Sequence, residues 1–283
     1  MPAKRPSRAA TLLQVLETGG YGVWLWLGLS LLLGLGPLGR SSTLVPLGLG
    51  AALVSIGLLP ACLQVPGLSR WHGWQPRPGH HPTRSALVAL ASWLPVLAVA
   101  GLAQGSNGFW AIRLAGAMLM LCSLACLLLS AHDDRACLPA ALQRATALLP
   151  AGRITTAAYT GSLWLWLAVL AQGEFAGHRG AYPWVMLLAL ALGLGLLESA
   201  LWQSLREPET HTGEYAPGRG MLPARLVAAV LTYALPCAAL LLGGVAGSLP
   251  AAALATPSCV LGQWLERQLY EATLAAAAGA KSL

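Results

Sequence analysis

Few residues in this chain can do polar chemistry, and they sit in a small number of places. Ionisable side chains inside or beside apolar segments are costly and are kept for pairing or function. Here they are Glu17, Glu198, and the group Glu266, Arg267 and Glu271 within GQWLERQLYEA, with Arg84 at the entrance to another apolar run and Arg113 standing apart. Tyr270 lies in the same segment and offers a phenolic donor. A second concentration is the stretch Leu63–Arg84, LQVPGLSRWHGWQPRPGHHPTR, with Arg70, Arg77 and Arg84, His72, His80 and His81, and Trp71 and Trp74. Flat aromatic walls at Trp71, Trp74 and Trp264 beside a few hydrogen-bond donors suit a planar ligand such as a quinone. They equally suit an aromatic belt at a membrane surface, as most of the 11 tryptophans do.

Other chemistries are disfavoured. The six histidines (His72, His80, His81, His132, His178 and His211) avoid the middles of the apolar runs, so a transmembrane bis-histidine haem is not expected. The six cysteines (Cys62, Cys122, Cys126, Cys137, Cys237 and Cys259) form no CxxC pair, and neither zinc nor an iron–sulfur cluster is indicated. Phosphate-binding loops, hydrolase elbows, zincin motifs and dinucleotide fingerprints are missing, so no substrate-level catalytic site is expected in this chain.

The elements that must hold these residues follow from composition. The chain has 283 residues, 56% hydrophobic and 10% charged, with a mean hydropathy of +0.64. Soluble domains carry about 25% charged residues. The expected class is an all-α, polytopic integral membrane protein forming a single domain over 1–283. A net charge of +7 would raise nucleic acid as a partner in a soluble protein. Here the basic residues sit at helix ends, where orientation in the membrane explains them.

A span needs about 20 largely apolar residues. That rule places eight helices: Leu12–Leu35, Leu44–Leu63, Ser85–Leu102, Ile112–Ser130, Thr155–Ala171, Tyr182–Trp202, Leu226–Gly244 and Leu249–Thr273. Pro46, Pro60, Pro95, Pro236 and Pro257 predict kinks. No inverted repeat of the transporter kind is visible. With eight spans, fourteen of the 17 Lys and Arg fall on the side of the N-terminus. The positive-inside rule then puts both termini in the cytoplasm, with cytoplasmic loops at about 64–84, 131–154 and 203–225. Glu17, Glu198, Glu266, Arg267 and Glu271 all fall near that boundary, which predicts a polar pocket opening toward the cytoplasmic face.

Four stretches resemble the membrane-anchor subunits of dimethyl sulfoxide reductase-type molybdenum enzymes, especially the branch that anchors cytoplasmic sulfite dehydrogenases. They are ETGGYGVWLWLGL (Glu17–Leu29), GLLPACLQVPGLSRWHGW (Gly57–Trp74), RSALVALASWLPVL (Arg84–Leu97) and GQWLERQLYEA (Gly262–Ala272). Gln64, Ser85 and Gln263 stand where that family's pattern has a histidine and two glutamates, whereas Arg70, Arg84, Glu266 and Arg267 match it. The resemblance implies a bacterial inner-membrane anchor without haem. Its partners would be a four-cluster, ferredoxin-like iron–sulfur subunit and a molybdopterin catalytic subunit, with membrane lipid around it and no nucleic acid. It would exchange electrons with ubiquinone or menaquinone, with sulfite as the implied substrate of the partner. The expected quinone-binding or partner-docking residues are Gln64, Arg70, Trp71, His72, Arg84, Trp264, Glu266, Arg267 and Tyr270. The expected proton relays are Glu17, His72, Glu266 and Glu271. A purely structural anchor and a small-solute transporter are the alternatives. The transporter would need broken helices in matching halves and polar groups at mid-membrane, and the sequence signals neither.

Overall fold

A computed structural model describes residues 8–34, 40–62, 84–103, 109–136, 143, 146–173, 183–206, 222–243 and 248–280. Among these residues every regular element is helical. Helix α1 spans Arg8–Leu33 and α2 spans Arg40–Cys62. Helices α3 (Arg84–Ala91) and α4 (Trp93–Leu102) make one rod interrupted at Ser92. Then come α5 (Trp110–Ala136), α6 (Leu149–Ala171) and α7 (Pro183–Arg206). Helices α8 (Leu222–Ala229) and α9 (Leu235–Gly243) are joined by a π-helical turn, Val230–Ala234, and α10 covers Leu249–Ala280.

Six segments are long and apolar enough to cross a membrane: Arg40–Leu58, Arg84–Leu102, Trp110–Ala136, Leu149–Ala171, Met186–Gln203 and Leu222–Leu242. Helices α1 and α10 occupy the other two expected runs. Several helices outlast their apolar run: α1 starts at Arg8, α5 ends at Ala136 and α10 at Ala280. Alanine, leucine and arginine are good helix formers, so the backbone ladder continues where apolarity stops. Large side chains point outward, among them Leu94, Leu97, Leu192, Leu226 and Leu242, the last 86% exposed. An apolar exterior of that extent suits lipid and not water.

Helix α1 is the hub. It packs on α2, α5 and α6. Its approach to α6 is backbone to backbone: a Cβ on Gly22 would lie 1.8 Å from the Ala157 carbonyl oxygen, and one on Gly161 would lie 2.2 Å from the Gly22 carbonyl carbon. Small residues let apolar helices pack this closely where no hydrophobic driving force separates helix from lipid. At its far end α1 stops at Gly34, which takes φ +69°. The Arg113 guanidinium lies against Gly34, a cation at a helix C-terminus.

Two of the expected proline kinks become real interruptions. A proline lacks the N–H for the carbonyl four residues earlier and its ring crowds that carbonyl. Four residues before Pro95 is Ala91, where α3 ends. Four before Pro236 is Thr232, inside the π turn, and its carbonyl instead accepts from the Tyr159 hydroxyl at 3.1 Å. Helix α10 continues through Pro257 and α2 through Pro46.

The chain is organised as two successive groups of rods. The first comprises α1, α2, α3/α4 and α5, and the second α6, α7, α8/α9 and α10. In each group the first rod packs on the second and the fourth, and the interrupted third rod packs on the fourth. Each group has its own apolar core, apart from Ile154 and Ala157 of α6, which pack with the first core. The sequence carries the same rhythm. WLWL (24–27) in α1 answers WLWL (164–167) in α6, with Tyr21 and Tyr159 upstream at different separations. Arg84 and Leu94-Pro95 in the third rod answer Arg225 and Leu235-Pro236 at the same separation. This repeat runs in the same sense in both halves, which is why a search for an inverted pattern passes over it.

Candidate functional site

The ionisable side chains of the described residues gather mainly at one end of the bundle, where α1 begins, α5 ends, α6 begins, α7 ends and α8 begins. The sequence suggested one pocket there. The structure divides it into two clusters on either side of α10.

The first is a network centred on Asp134. Its carboxylate accepts from Arg153, whose side chain is 3% exposed, and from Arg267 at 3.2 Å and Gln14 at 3.5 Å. Arg153 also donates to the Ser130 hydroxyl at 3.2 Å. Arg267 pairs with Glu271 at 3.5 Å, and Thr11 donates to Glu271 at 3.3 Å. Four rods are thereby tied together: α1, α5, α6 and α10. Glu17 lies one turn deeper on α1 than Gln14, buried and within electrostatic reach of Arg153, Asp134 and Arg267. Gly57 of α2 is pressed against it, since a Cβ there would stand 2.4 Å from the Glu17 Cβ. One further turn in, the buried Tyr21 hydroxyl lies against the Cys126 thiol, short of a well-formed hydrogen bond.

The second cluster lines a cleft of about 620 Å³ between α7, α8, the π turn and α10. Glu198 and Glu266 face it, as do Arg225 and Tyr233. The Tyr233 hydroxyl donates to Glu198. The Trp202 indole N–H donates to Glu266 at 2.5 Å, and the Arg225 guanidinium stacks on the Trp202 ring at 4.0 Å from its centroid. Tyr270 meets Trp202 edge-on at 5.9 Å and braces it from behind. Arg225 makes no hydrogen bond or ion pair with another described residue, and its buried Nε is unclaimed. An arginine fork stacked on an indole and within electrostatic reach of Glu198 and Glu266, yet hydrogen-bonded to neither, keeps its donors for a guest oxygen.

The π turn positions this site. It carries Tyr233, which stands on the same face of the rod as Arg225, Leu226 and Ala229 and reaches Glu198. Gly262 allows α10 to close on the turn, since a Cβ there would lie 2.5 Å from the Thr232 amide nitrogen. Tyr233 also stacks on Tyr159, at 6.4 Å and 20° between ring planes.

Of the residues singled out from the sequence, Glu266 lines the cleft and Tyr270 supports it. Glu17, Arg267 and Glu271 belong to the Asp134 network. Trp264 belongs to neither, donating instead to the Arg8 carbonyl at 2.9 Å and fastening the start of α1 to α10. Arg84 is exposed at the first turn of α3 and lines neither cluster. Gln64, Arg70, Trp71 and His72 lie outside the described residues. Gln263 is buried and accepts from the Thr160 hydroxyl at 2.8 Å, joining α10 to α6. Sequence reasoning missed Asp134, Arg153, Arg225, Trp202 and Tyr233 as site residues and left Glu198 unassigned. Arg225 had a signal, its register match to Arg84. No family model matches the chain, and neither a curated protein nor a solved structure matches it.

Proposed function

We propose that this chain is a haem-free membrane anchor and quinone-binding subunit of a molybdopterin/iron–sulfur oxidoreductase complex in the bacterial inner membrane. Electrons pass between the partner's iron–sulfur clusters and a quinone held in the cleft of α7, α8 and α10. In this reading all eight rods cross the membrane with both termini cytoplasmic. Helix α1, with 26 residues, is about 39 Å long, and α10, with 32, about 48 Å. Both exceed the hydrocarbon thickness of about 30 Å. Their polar residues face other rods, so hydropathy alone underrates them.

The observation that carries the quinone reading is the uncommitted Arg225 beside Glu198, Tyr233 and Glu266 in an otherwise apolar wall. A quinone carbonyl accepts from Arg225. Tyr233 and the carboxyls supply groups that can exchange protons with a reduced ring. The resemblance of GQWLERQLYEA to the sulfite-oxidising anchor branch supports the same assignment, with sulfite as the partner's substrate. A charge-assisted hydrogen bond contributes about 1.5–3 kcal/mol, so Arg225→Ala is expected to weaken quinone binding roughly ten- to a hundredfold. Titration of the purified chain in lipid nanodiscs with decyl-ubiquinone and its menaquinone counterpart measures this. Equal affinity for wild type, Arg225→Ala and Glu266→Gln would remove the cleft as the quinone site.

One observation favours a second reading. The interrupted third rod recurs in both halves, and transporters use discontinuous helices at matching positions. The polar groups cluster at one end of the bundle and not at its middle, which argues for the anchor. Solute uptake by vesicles containing this chain alone would reverse that preference.

A further inference from the structure

The polar cleft does not end at Tyr233. A second, shallower groove of about 360 Å³ continues from it along the outside of α8, the π turn and α9. It shares Leu226, Ala229 and Tyr233 with the cleft and then runs past Val230 and Ala234 to Cys237. Polar groups are confined to the cleft end, and from Tyr233 onward the walls are aliphatic carbon and one thiol. Leu226 and Val230 on its rim are 66% and 43% exposed, so the groove is open along its length to whatever surrounds the bundle. Tyr233 is common to both spaces, with its hydroxyl turned to Glu198.

We propose that this groove is the channel for the prenyl tail of the quinone, with the head at Arg225 and the chain lying along α8, the π turn and α9 toward Cys237. This rests on the quinone reading of the cleft. It adds that the ligand enters sideways from the lipid and that tail length contributes to selection. The occupant follows from continuity. One amphiphile with a compact polar ring and a long apolar chain fills both spaces. A soluble polar solute would leave the groove empty. A phospholipid has two chains and an anionic phosphate in its head, and that phosphate would face Glu198 and Glu266 as well as Arg225. The two spaces are continuous because Leu226, Ala229 and Tyr233 stand on one face of the rod and line both.

The test uses the full chain in phosphatidylcholine nanodiscs and two probes, decyl-ubiquinone and the tailless head ring, together with their menaquinone counterparts. Ala234→Trp fills the groove from an exposed position and leaves the cleft intact. It is expected to weaken decyl-quinone binding about tenfold, equivalent to ~1.4 kcal/mol, and to leave the tailless head unchanged. Separately, a lipid-soluble maleimide is applied and each cysteine is read by mass spectrometry. Decyl-quinone is expected to slow labelling of the half-buried Cys237, while the tailless head does not, with half-buried Cys122 in the other half as the unaffected control. If the head binds but the tail adds no affinity, or if Cys237 labels equally with and without decyl-quinone, the tail channel is wrong and the quinone reading stands. Slow labelling of Cys237 in both states would assign the groove to bilayer lipid and overturn the proposal. If neither probe binds the wild-type chain, the quinone reading fails and the channel with it.

Discussion

Arg153 shows how much can depend on one carboxylate. Its side chain is 3% exposed, and its ionic partner is Asp134, which also holds Arg267. Taking one member from a buried ion pair leaves the other charge stranded, at about 3–5 kcal/mol. Asp134→Ala is therefore expected to lower the thermal midpoint of the detergent-purified chain far more than Glu271→Ala, whose loss leaves Arg267 still paired with Asp134. Equal midpoints for the two variants, followed by the fluorescence of a thiol-reactive dye, would contradict the network. The sequence made Arg267 and Glu271 visible because they stand close together in one helical segment. It hid Asp134 and Arg153, which lie on different rods and carry nothing locally distinctive. Tyr233 was hidden the same way, whereas Glu198 was visible without its partner. Their meeting across α7 and the π turn is a tertiary fact that no spacing along the chain encodes.

Helix α10 works as a partition. Glu266 and Tyr270 lie four apart and face the cleft side, while Arg267 and Glu271, also four apart, face the Asp134 network. Adjacent residues thus serve different sites, which is why a single polar pocket was expected and two clusters were found. Proline positions marked the interrupted rods correctly, although the sequence did not distinguish Pro95 and Pro236 from Pro46 and Pro257. The outcome depends on whether neighbours stabilise the disrupted carbonyl, as Tyr159 does for Thr232. Tyr159→Phe removes that donor, and an unsatisfied buried acceptor costs about 1–3 kcal/mol. The variant should unfold at lower temperature and also bind quinone less tightly, because the turn carries Tyr233; unchanged stability and binding would show that the turn does not depend on Tyr159. The α1–α6 contact makes a sharper contrast. Gly22→Ala drives a methyl group into the Ala157 carbonyl, whereas nothing lies within 4 Å of a Cβ on Gly193. Gly22→Ala is expected to destabilise the chain by several kcal/mol, in the range of severe overpacking. Gly193→Ala is expected to leave the midpoint unchanged or slightly raised, since alanine is the better helix former. A reversal of that order in thermal unfolding would refute the close backbone contact.

At the scale of the molecule, two four-rod halves share a plan but not a chemistry. Both keep the WLWL of the first rod, the arginine at the head of the third, and the leucine–proline step. Among the described residues only the second half surrounds its arginine with carboxylates, at Glu198 and Glu266. The proposed quinone site therefore belongs to the second half, although the histidine- and arginine-rich stretch at 63–84 falls in the first by sequence. All-helical architecture and the positions of the rods were legible from apolar runs alone. The pairing of halves was not, because apolar runs state where helices are and not which faces meet. The charge asymmetry predicts cytoplasmic termini and eight crossings. Reporter fusions placed at 105–108 and 244–247 should read as external, and one at 207–221 as cytoplasmic. The opposite pattern would overturn the topology and with it the direction from which a partner subunit docks. The most direct measurement for the central claim is photolabelling of the membrane-embedded chain with an azido-quinone, followed by peptide mapping. Adducts are expected on α7, α8 and α10 near Glu198, Arg225 and Glu266, competed away by unlabelled quinone. Competable adducts confined to 63–84 and α1–α5 would contradict it.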